Sequence, residues 1–296
     1  MSEHIAQSFA SGFLSQSLAK QIADCDRYEL APLFLKLFRD HQPVLEAGCG
    51  SGRWCGWFQK NGIRSDGVDW SPDLCNRAAQ ELAGSRFVAC DMQNTPFAAG
   101  AYGGLLALGS IEHIAQGPQR ALQEFHRLLR PDGVAVITVP HGGRLRRSMR
   151  LLKQPLVALK ACRFVRRYFG ISIQGRTLKE AHRETRPGWH PRFSFGAAGW
   201  SFYEYEFNKK QMRQFLADAQ FEVMEEFAAF GDEGILHNFS WLAGRWNEAR
   251  SAVDLTVLGK LLRKIIPVSI MGHMLCYVVK KAIERPDAFD QSRPVG

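Results

Sequence analysis

The chain has 296 residues, of which 46% are apolar and 23% are charged, a composition typical of a folded globular protein. That length is enough for one large domain with a smaller lobe. The seven cysteines form no C-x-x-C pair, so we predict reduced thiols in a cytoplasmic protein and no disulfide frame or zinc site. The first ten residues lack the basic start and apolar core of a signal peptide. The longest apolar run, Ile265–Val279, is too short to span a bilayer.

Predicted secondary structure alternates between strands and helices from residue 43 to 140. In chain order, the predicted elements are helix Tyr28–Asp40, strand Pro43–Ala47, helix Arg53–Asn61, strand Arg64–Asp69, helix Pro72–Ala83, strands Arg86–Cys90 and Gly103–Leu108, helix Pro118–Leu129, and strand Val134–Val139. After residue 200 they are strand Tyr203–Phe207, helix Lys209–Ala219, strand Phe221–Phe230, a helical stretch over 236–264, and strand Met274–Lys280. Strands separated by helices of this length predict an α/β fold with a doubly wound, mostly parallel sheet.

The net charge of +9 is unevenly distributed. Residues 141–200 hold 14 Lys and Arg residues and two acids, a local charge of +12, while the rest of the chain carries −3. This segment shows no strand signal. We therefore predict one domain formed by residues 1–140 and 201–283, a basic insertion or lid at 141–200 after the fifth strand, and a frayed tail at 284–296.

A glycine-rich run directly follows the first predicted strand, where Gly48, Gly50 and Gly52 alternate with Cys and Ser. Glycines at this place let the backbone turn tightly and approach a ligand at the carboxyl edge of the sheet. A dinucleotide-binding loop would need a further glycine where Arg53 or Cys55 stands, depending on the register. The pattern therefore favours a ligand without a pyrophosphate.

Acidic residues end the next two predicted strands. Asp69 is placed where a carboxylate can accept both hydroxyls of a ribose. Asp91 can meet the base of a nucleoside, with Met92 beside it as an apolar wall. Each acid alone could be an ordinary loop residue or helix cap. Their order after the glycine run predicts a nucleoside site.

The motifs resemble those of one enzyme family. The resemblance rests on VLEAGCGSGRW (44–54), GVDWSP (67–72), FVACDMQNTPF (87–97), LLALGSIEHI (105–114) and LLRPDGVAVITVP (128–140). These runs are similar to the successive motifs of class I S-adenosylmethionine-dependent methyltransferases, in the broad type 11-like subgroup that includes ubiquinone-pathway O-methyltransferases. The resemblance is good over residues 44–140 and weak over 203–223.

This resemblance implies S-adenosyl-L-methionine as the cofactor and a seven-stranded Rossmann-like sheet whose one antiparallel strand is Met274–Lys280. It further implies a set of cofactor contacts: Glu46, Gly48, Gly50 and Gly52 on the methionine side, Asp69 on the ribose, Trp70, Asp91 and Met92 around the adenine, and Ser110 after the fourth strand.

Candidate catalytic chemistry follows the fourth strand at Ser110-Ile111-Glu112-His113. His113 is either a general base for an acceptor hydroxyl or a histidine that binds nearby backbone. Glu112 resembles a metal-binding position of some ubiquinone-pathway relatives, but the sequence places no further ligands beside it and we predict no metal. The tetrapeptide lacks the [DNS]-P-P-[YF] pattern of enzymes that methylate base amino groups, which argues against that class of acceptor.

Four further residues are candidate acceptor contacts. Tyr203 and Tyr205 would share one face of a strand, either lining the acceptor site or packing in an aromatic core. His190 and Arg192 lie in the predicted irregular loop Arg183–Trp200. They could bind an anionic group, or the aromatic residues around them could simply anchor the loop.

The basic insertion contains two amphipathic stretches within residues 144–169, separated at Pro155. Such helices suit the surface of an anionic membrane, and they equally suit a lid whose arginines are solvated. A nucleic-acid partner ranks last because the segment contains no known module for it. We expect a methyltransferase acting on a small or lipid-linked acceptor, at a hydroxyl, with N-methylation or a non-catalytic docking subunit as alternatives.

Overall fold

The computed structural model describes residues 10–149, 151, 168, 175–196 and 199–282. Its strands are β1 Val44–Ala47, β2 Ser65–Asp69, β3 Phe87–Ala89, β4 Tyr102–Leu108, β5 Leu129–Pro140, β6 Pro191–Gly196, β7 Gly199–Tyr205, β8 Phe221–Ala229, β9 Gly244–Asn247, β10 Ala252–Leu255 and β11 Met274–Lys281. Its helices are α1 Leu18–Asp24, α2 Ala31–Phe38, α3 Arg53–Lys60, α4 Pro72–Glu81, α5 Gln119–Leu128, α6 Leu178–His182, α7 Lys209–Asp218, α8 Gly231–Phe239, α9 Val257–Ile265 and α10 Val268–Met271. Residues 10–14 and 144–149 are also helical.

Seven of these strands form one sheet in the order β3-β2-β1-β4-β5-β11-β8. The pairs among β1 to β5 are parallel, and β11 runs antiparallel to both β5 and β8. The strand order reverses between β1 and β4, which places a crevice at the carboxyl ends of these two strands. The predicted doubly wound sheet with one antiparallel strand is confirmed.

Helices cover both faces of the sheet. Neighbouring residues on a strand point to opposite sides, so both sets of side chains are buried. On β4, Leu105 and Ala107 join a core that contains α5 and α7, while Leu106 joins a second core that contains α1 to α3. The continuous apolar runs of β4 and β5 follow from this double burial. Helix caps agree with the sequence: Ser71 accepts from the Leu74 amide at the start of α4, and Asn208 caps α7.

Three sequence-based predictions about local structure are wrong. Residues 141–200 do contain strand, because β6 pairs with β7 as a hairpin in which Phe195 packs on Trp200. The stretch over 236–264 is interrupted by the hairpin β9–β10. The strand predicted at Val134–Val139 begins earlier, since Leu129 already pairs with Tyr102. In each case, pairing with a partner strand outweighs local turn or helix signals.

Residues 231–271 form a small lobe beside the carboxyl end of the sheet, made of α8, the β9–β10 hairpin, α9 and α10. In the part of the chain that the structure describes, no helix is long and apolar enough to cross a membrane. Residues 152–167, which hold much of the predicted basic amphipathic segment, lie outside the described residues. The membrane or lid role of that segment therefore stays a prediction.

Candidate active site

The glycine run forms a tight loop between β1 and α3. All three of its glycines have positive φ, +79° at Gly48, +53° at Gly50 and +78° at Gly52, a region that side chains rarely adopt. A Cβ on Gly48 would lie 2.8 Å from the Ser110 Cβ, whereas one on Gly52 would lie 2.8 Å from the Phe87 ring. Gly48 thus keeps space at the cavity, and Gly52 allows close packing behind it.

Glu46 is buried beneath the loop. Its Oε2 accepts hydrogen bonds from the Cys55 amide at 3.3 Å and from the Cys55 thiol at 3.4 Å. Burial raises the pKa of Glu46 to about 8, with Arg53 opposing the shift. The carboxyl group therefore anchors the first turn of α3 and does not line a cavity.

Asp69 links the loop to the next helix. Its Oδ2 accepts from the Gly50 amide at 2.9 Å, and its Oδ1 accepts from the Ser71 amide at 3.0 Å. Burial raises the pKa of Asp69, and these backbone hydrogen bonds oppose the shift. The carboxylate is held in one orientation at the edge of the sheet.

A cavity of about 760 Å³ opens between the glycine loop and the ends of β2 to β4. The predicted cofactor residues that line it are Gly48, Gly50, Asp69, Trp70, Asp91, Met92 and Ser110. Among the described residues, the buried Ser110 Oγ has no hydrogen-bond partner. The cavity is wide enough for a nucleoside and ends in an unsatisfied hydroxyl, so the residues present fit a nucleoside cofactor.

A second cavity of about 850 Å³ lies over the other side of the sheet edge. It is walled by the N-terminal helices, the start of α3, and the 231–271 lobe. The two cavities share Phe13, Leu108 and Gly109 as lining residues. None of the described residues between 141 and 205 lines either cavity, although the sequence placed the acceptor contacts there.

Three polar side chains that line the second cavity are Tyr28, Arg53 and Glu233. Burial raises the pKa of Glu233 to about 7, and nearby Glu29 adds to the shift. Glu29 itself accepts from the Phe230 amide at 2.9 Å. The other cavity ion pairs, Arg263–Asp232 among them, are already formed. A cavity of this size with a few polar groups in its lining is a candidate ligand site.

His113 lines the cofactor cavity. Its Nδ1 lies 2.7 Å from the Tyr203 carbonyl oxygen, so Nδ1 carries the proton and Nε2 is the basic nitrogen. Burial lowers the pKa of His113. The imidazole is therefore neutral at pH 7 and has a fixed orientation.

Glu204 of β7 lies beside Glu112 and His113, a proximity that the sequence did not predict. One ligand atom from each of the three residues lies within 4.8 Å of the others, so the group could coordinate a metal ion. Arg192 already pairs with Glu204 at 2.6 Å and supplies positive charge there. Burial holds the pKa of Glu112 well above its usual range, with Glu204 adding to the shift.

The four residues predicted to contact the acceptor line neither cavity. The Tyr205 hydroxyl donates to the Ala115 carbonyl at 2.7 Å, and its ring packs in the core 4.7 Å from Phe202. The His190 carbonyl accepts from the Glu206 amide. A register shift between Arg192 and Phe193 leaves Tyr203 without a paired residue on β6, and the Tyr203 ring packs 5.3 Å from His113.

Sequence reasoning missed Tyr28, Arg53 and Glu233. Arg53 directly follows the glycine run and was considered only as the residue that breaks a dinucleotide motif. Tyr28 is the first residue of a predicted helix, and nothing near Glu233 in the sequence suggests a site. The second cavity exists only because distant parts of the chain meet at the sheet edge.

The order of strands, the glycine loop and the strand-end acids together define a class I methyltransferase fold. In agreement, residues 45–137 match the family model described as "Methyltransferase domain". Residues 45–137 therefore match a methyltransferase domain, which supports the predicted enzyme class and the cofactor S-adenosyl-L-methionine.

The curated relatives align with only about a third of the chain. The chain is 30% identical over 95 residues to a malonyl-[acyl-carrier protein] O-methyltransferase of Enterobacter lignolyticus, an alignment covering 32% of this chain and 38% of that protein. It is 37% identical over 98 residues to a tRNA (carboxymethyluridine(34)-5-O)-methyltransferase of Xenopus tropicalis, covering 32% and 15%. The chain thus spans less than half the length of these curated relatives. A SAM-dependent methyltransferase from Methanosarcina mazei shares the fold with a TM-score of 0.53 at 13% identity, covering 86% of this chain and 98% of that one.

Proposed function

We propose that the protein transfers a methyl group from S-adenosyl-L-methionine to an oxygen of a small or lipid-linked acceptor bound in the second cavity. The observation that carries this proposal is the meeting of the two cavities at Phe13, Leu108 and Gly109. A ligand in each cavity would approach the other at this boundary. Methyl transfer requires such an in-line approach of two bound molecules.

In the cofactor cavity, Gly48 and Gly50 leave room for the ligand beside the backbone. The fixed carboxylate of Asp69 would accept hydrogen bonds from the ribose, and the Ser110 hydroxyl would gain the partner it lacks. Trp70, Asp91 and Met92 would surround the adenine, since they line the far end of the same cavity. Glu46 and Gly52 would act from behind, by holding the loop in shape.

When bound, the cofactor supplies a methyl group that its sulfonium has already activated. The protein would then contribute mainly orientation of the acceptor. His113 lines the cofactor cavity, so it could serve as base for an acceptor hydroxyl that reaches past the boundary of the two cavities. Its Nε2 would then take the proton, because the Nδ1–H is engaged with the Tyr203 carbonyl. The role of His113 as general base thus stays a proposal.

Arg53 favours an acceptor that carries a negatively charged group. Its side chain lines the second cavity, where the guanidinium carbon lies 5.8 Å from the centre of the Trp54 ring and pairs with no carboxylate of the described residues. The two curated relatives act, by their names, on a malonyl group and on a carboxymethyl group, both of which contain a carboxyl. A charge-assisted contact from Arg53 would hold such a group.

N-methylation is the second candidate function. Glu29 and Glu233 line the same cavity, and two acids there could hold a protonated amine. An amine nucleophile needs no dedicated base. The requirement for His113 therefore separates the two candidates.

The experiment is a mass-shift screen of cell extract incubated with the protein and methyl-deuterated cofactor. We expect one labelled product, formed by the wild type and by the Asp73→Ala variant, whose exposed acid lies outside both cavities. The Asp69→Ala variant should form much less. A wild-type protein that binds S-adenosylhomocysteine and labels nothing in any extract would contradict the proposed transfer.

A further inference from the structure

The 231–271 lobe has an unusually apolar surface. Its buried interior contains only Ile235, Ala243 and Met271, with a few partly buried side chains around them. Fourteen large apolar side chains are exposed in the described part of the chain, and eight of them belong to this lobe. These eight are Trp241, Leu242, Trp246, Val257, Leu258, Leu261, Ile265 and Ile270. An apolar concentration of this kind marks an interaction site.

Helix α9 carries the centre of this surface. At about 100° per residue, Val257, Leu258, Leu261 and Ile265 fall within one sector of about 100°. Their exposed fractions are 87%, 45%, 53% and 66%. The opposite side is fixed to the lobe, since a Cβ on Gly259 would lie 1.9 Å from the Ala243 carbonyl oxygen. The exposed orientation of the stripe is therefore set by packing.

Positive charge lies next to the stripe. Residues 256–271 contain Lys260, Arg263 and Lys264 and no acid. Arg263 pairs with Asp232 on the lobe side of the helix at 3.0 Å. Lys260 and Lys264 are exposed on the flank of the stripe, and within the described ranges neither has a carboxylate partner. An apolar stripe with a cationic flank is the pattern of helices that lie in a membrane interface.

We propose that the stripe of α9, namely Val257, Leu258, Leu261 and Ile265 with Lys260 and Lys264 on its flank, docks the protein on an anionic lipid bilayer. The apolar side chains would enter the acyl boundary, and the lysines would reach lipid phosphates. A symmetric contact with a second copy fits less well, because it would bring the lysines of both copies together. Trp241, exposed by 74%, adds an amphipathic ring of the type found at membrane interfaces.

The placement of the stripe connects it to the second cavity. Trp246 and Arg263 belong to the same lobe and line that cavity. Docking would therefore bring the cavity close to the membrane surface, where a lipid-linked acceptor would be available. The docking itself requires neither methyl transfer nor cofactor binding, so the two proposals fail independently.

The test is co-sedimentation of the purified full chain with two kinds of vesicle: neutral phosphatidylcholine, and phosphatidylcholine containing phosphatidylglycerol. We expect sedimentation with the anionic vesicles that decreases as salt rises, and little with the neutral ones. The variant Leu261→Asp/Ile265→Asp should stay in the supernatant. Replacing Lys260 and Lys264 by Gln should weaken binding roughly 30-fold, at about 1 kcal/mol for each basic residue near the surface.

Met224→Asp is the matched control, because Met224 is exposed by 53% on β8 and lies outside the lobe. It should sediment as the wild type does. Each variant is first checked for an unchanged unfolding temperature and unchanged S-adenosylhomocysteine binding. A wild type that stays in the supernatant with both vesicles, or a Leu261→Asp/Ile265→Asp variant that still sediments, would overturn the proposal. So would a wild-type dimer in light scattering that the same variant converts to a monomer.

Discussion

The cofactor edge of the sheet and the 231–271 lobe are built in different ways. At the cofactor edge, one carboxylate, Asp69, accepts from the Gly50 and Ser71 amides, and its neighbours are strands that follow one another in the chain. The lobe depends on close backbone contacts between elements, such as α9 against the Ala243 carbonyl. It buries three apolar side chains and exposes eight.

This difference separates two kinds of task. A cofactor common to many enzymes can be held by a rigid, locally encoded loop, where the glycines and the acid follow a fixed order. The cavity proposed for the acceptor is walled instead by the N-terminal helices and the lobe, which lie far apart in the chain. The two cavities reflect this division, and each prediction below acts on one side of it.

The largest effect is expected at His113. If it is the base for a hydroxyl acceptor, His113→Ala should lower kcat by about 10²–10⁴-fold and leave cofactor affinity nearly unchanged. Because burial lowers its pKa, the wild-type rate should fall only as the pH drops below the ordinary value of about 6.5. Steady-state kinetics over a pH series measures both.

His182→Ala is the control for this variant, since His182 is exposed and lines neither cavity. A loss smaller than tenfold in His113→Ala would return His113 to a structural role. N-methylation would then be the favoured function.

A smaller effect is expected at Arg53, which lines the second cavity. Arg53→Gln should lower kcat/KM for an anionic acceptor by about 10–100-fold, because a hydrogen bond to a charged group contributes about 1.5–3 kcal/mol. Arg53→Lys keeps the charge and should lose less. Equal kcat/KM in wild type and Arg53→Gln would exclude Arg53 from acceptor binding.

The smallest effect tests the lobe alone. Gly259→Ala should destabilise the lobe by about 1–3 kcal/mol, since the added Cβ would lie 1.9 Å from the Ala243 oxygen. Gly12→Ala should stay within about 1 kcal/mol of the wild type, because nothing lies within 4 Å of its added Cβ. Hydrogen exchange should show faster exchange over 231–271 in Gly259→Ala and no change around β1 to β4. Faster exchange at the cofactor edge would show that the two regions are coupled.

The sequence predicts what is encoded locally. Asp69 and Asp91 were expected at one edge of the sheet because each closely follows a strand signal, and both line the same cavity. The antiparallel strand Met274–Lys281 was predicted to within one residue. The sequence did not predict strand β6, because Pro191 and Gly196 at its two ends are typical of turns. The strand is stabilised by pairing with β7. The second cavity could not be predicted, since Arg53 and Glu233 are far apart in the chain and meet only through the fold.

The most direct test of the account is calorimetry with S-adenosylhomocysteine on the wild type and on Asp69→Ala, with Asp73→Ala as the control. We expect binding to the wild type and to Asp73→Ala, and a binding free energy weaker by about 1–3 kcal/mol in Asp69→Ala, because charge-assisted hydrogen bonds to the ribose disappear. NAD should not bind to any of the three. Unchanged affinity in Asp69→Ala, or tight binding of NAD to the wild type, would contradict the assignment of this cavity to S-adenosyl-L-methionine.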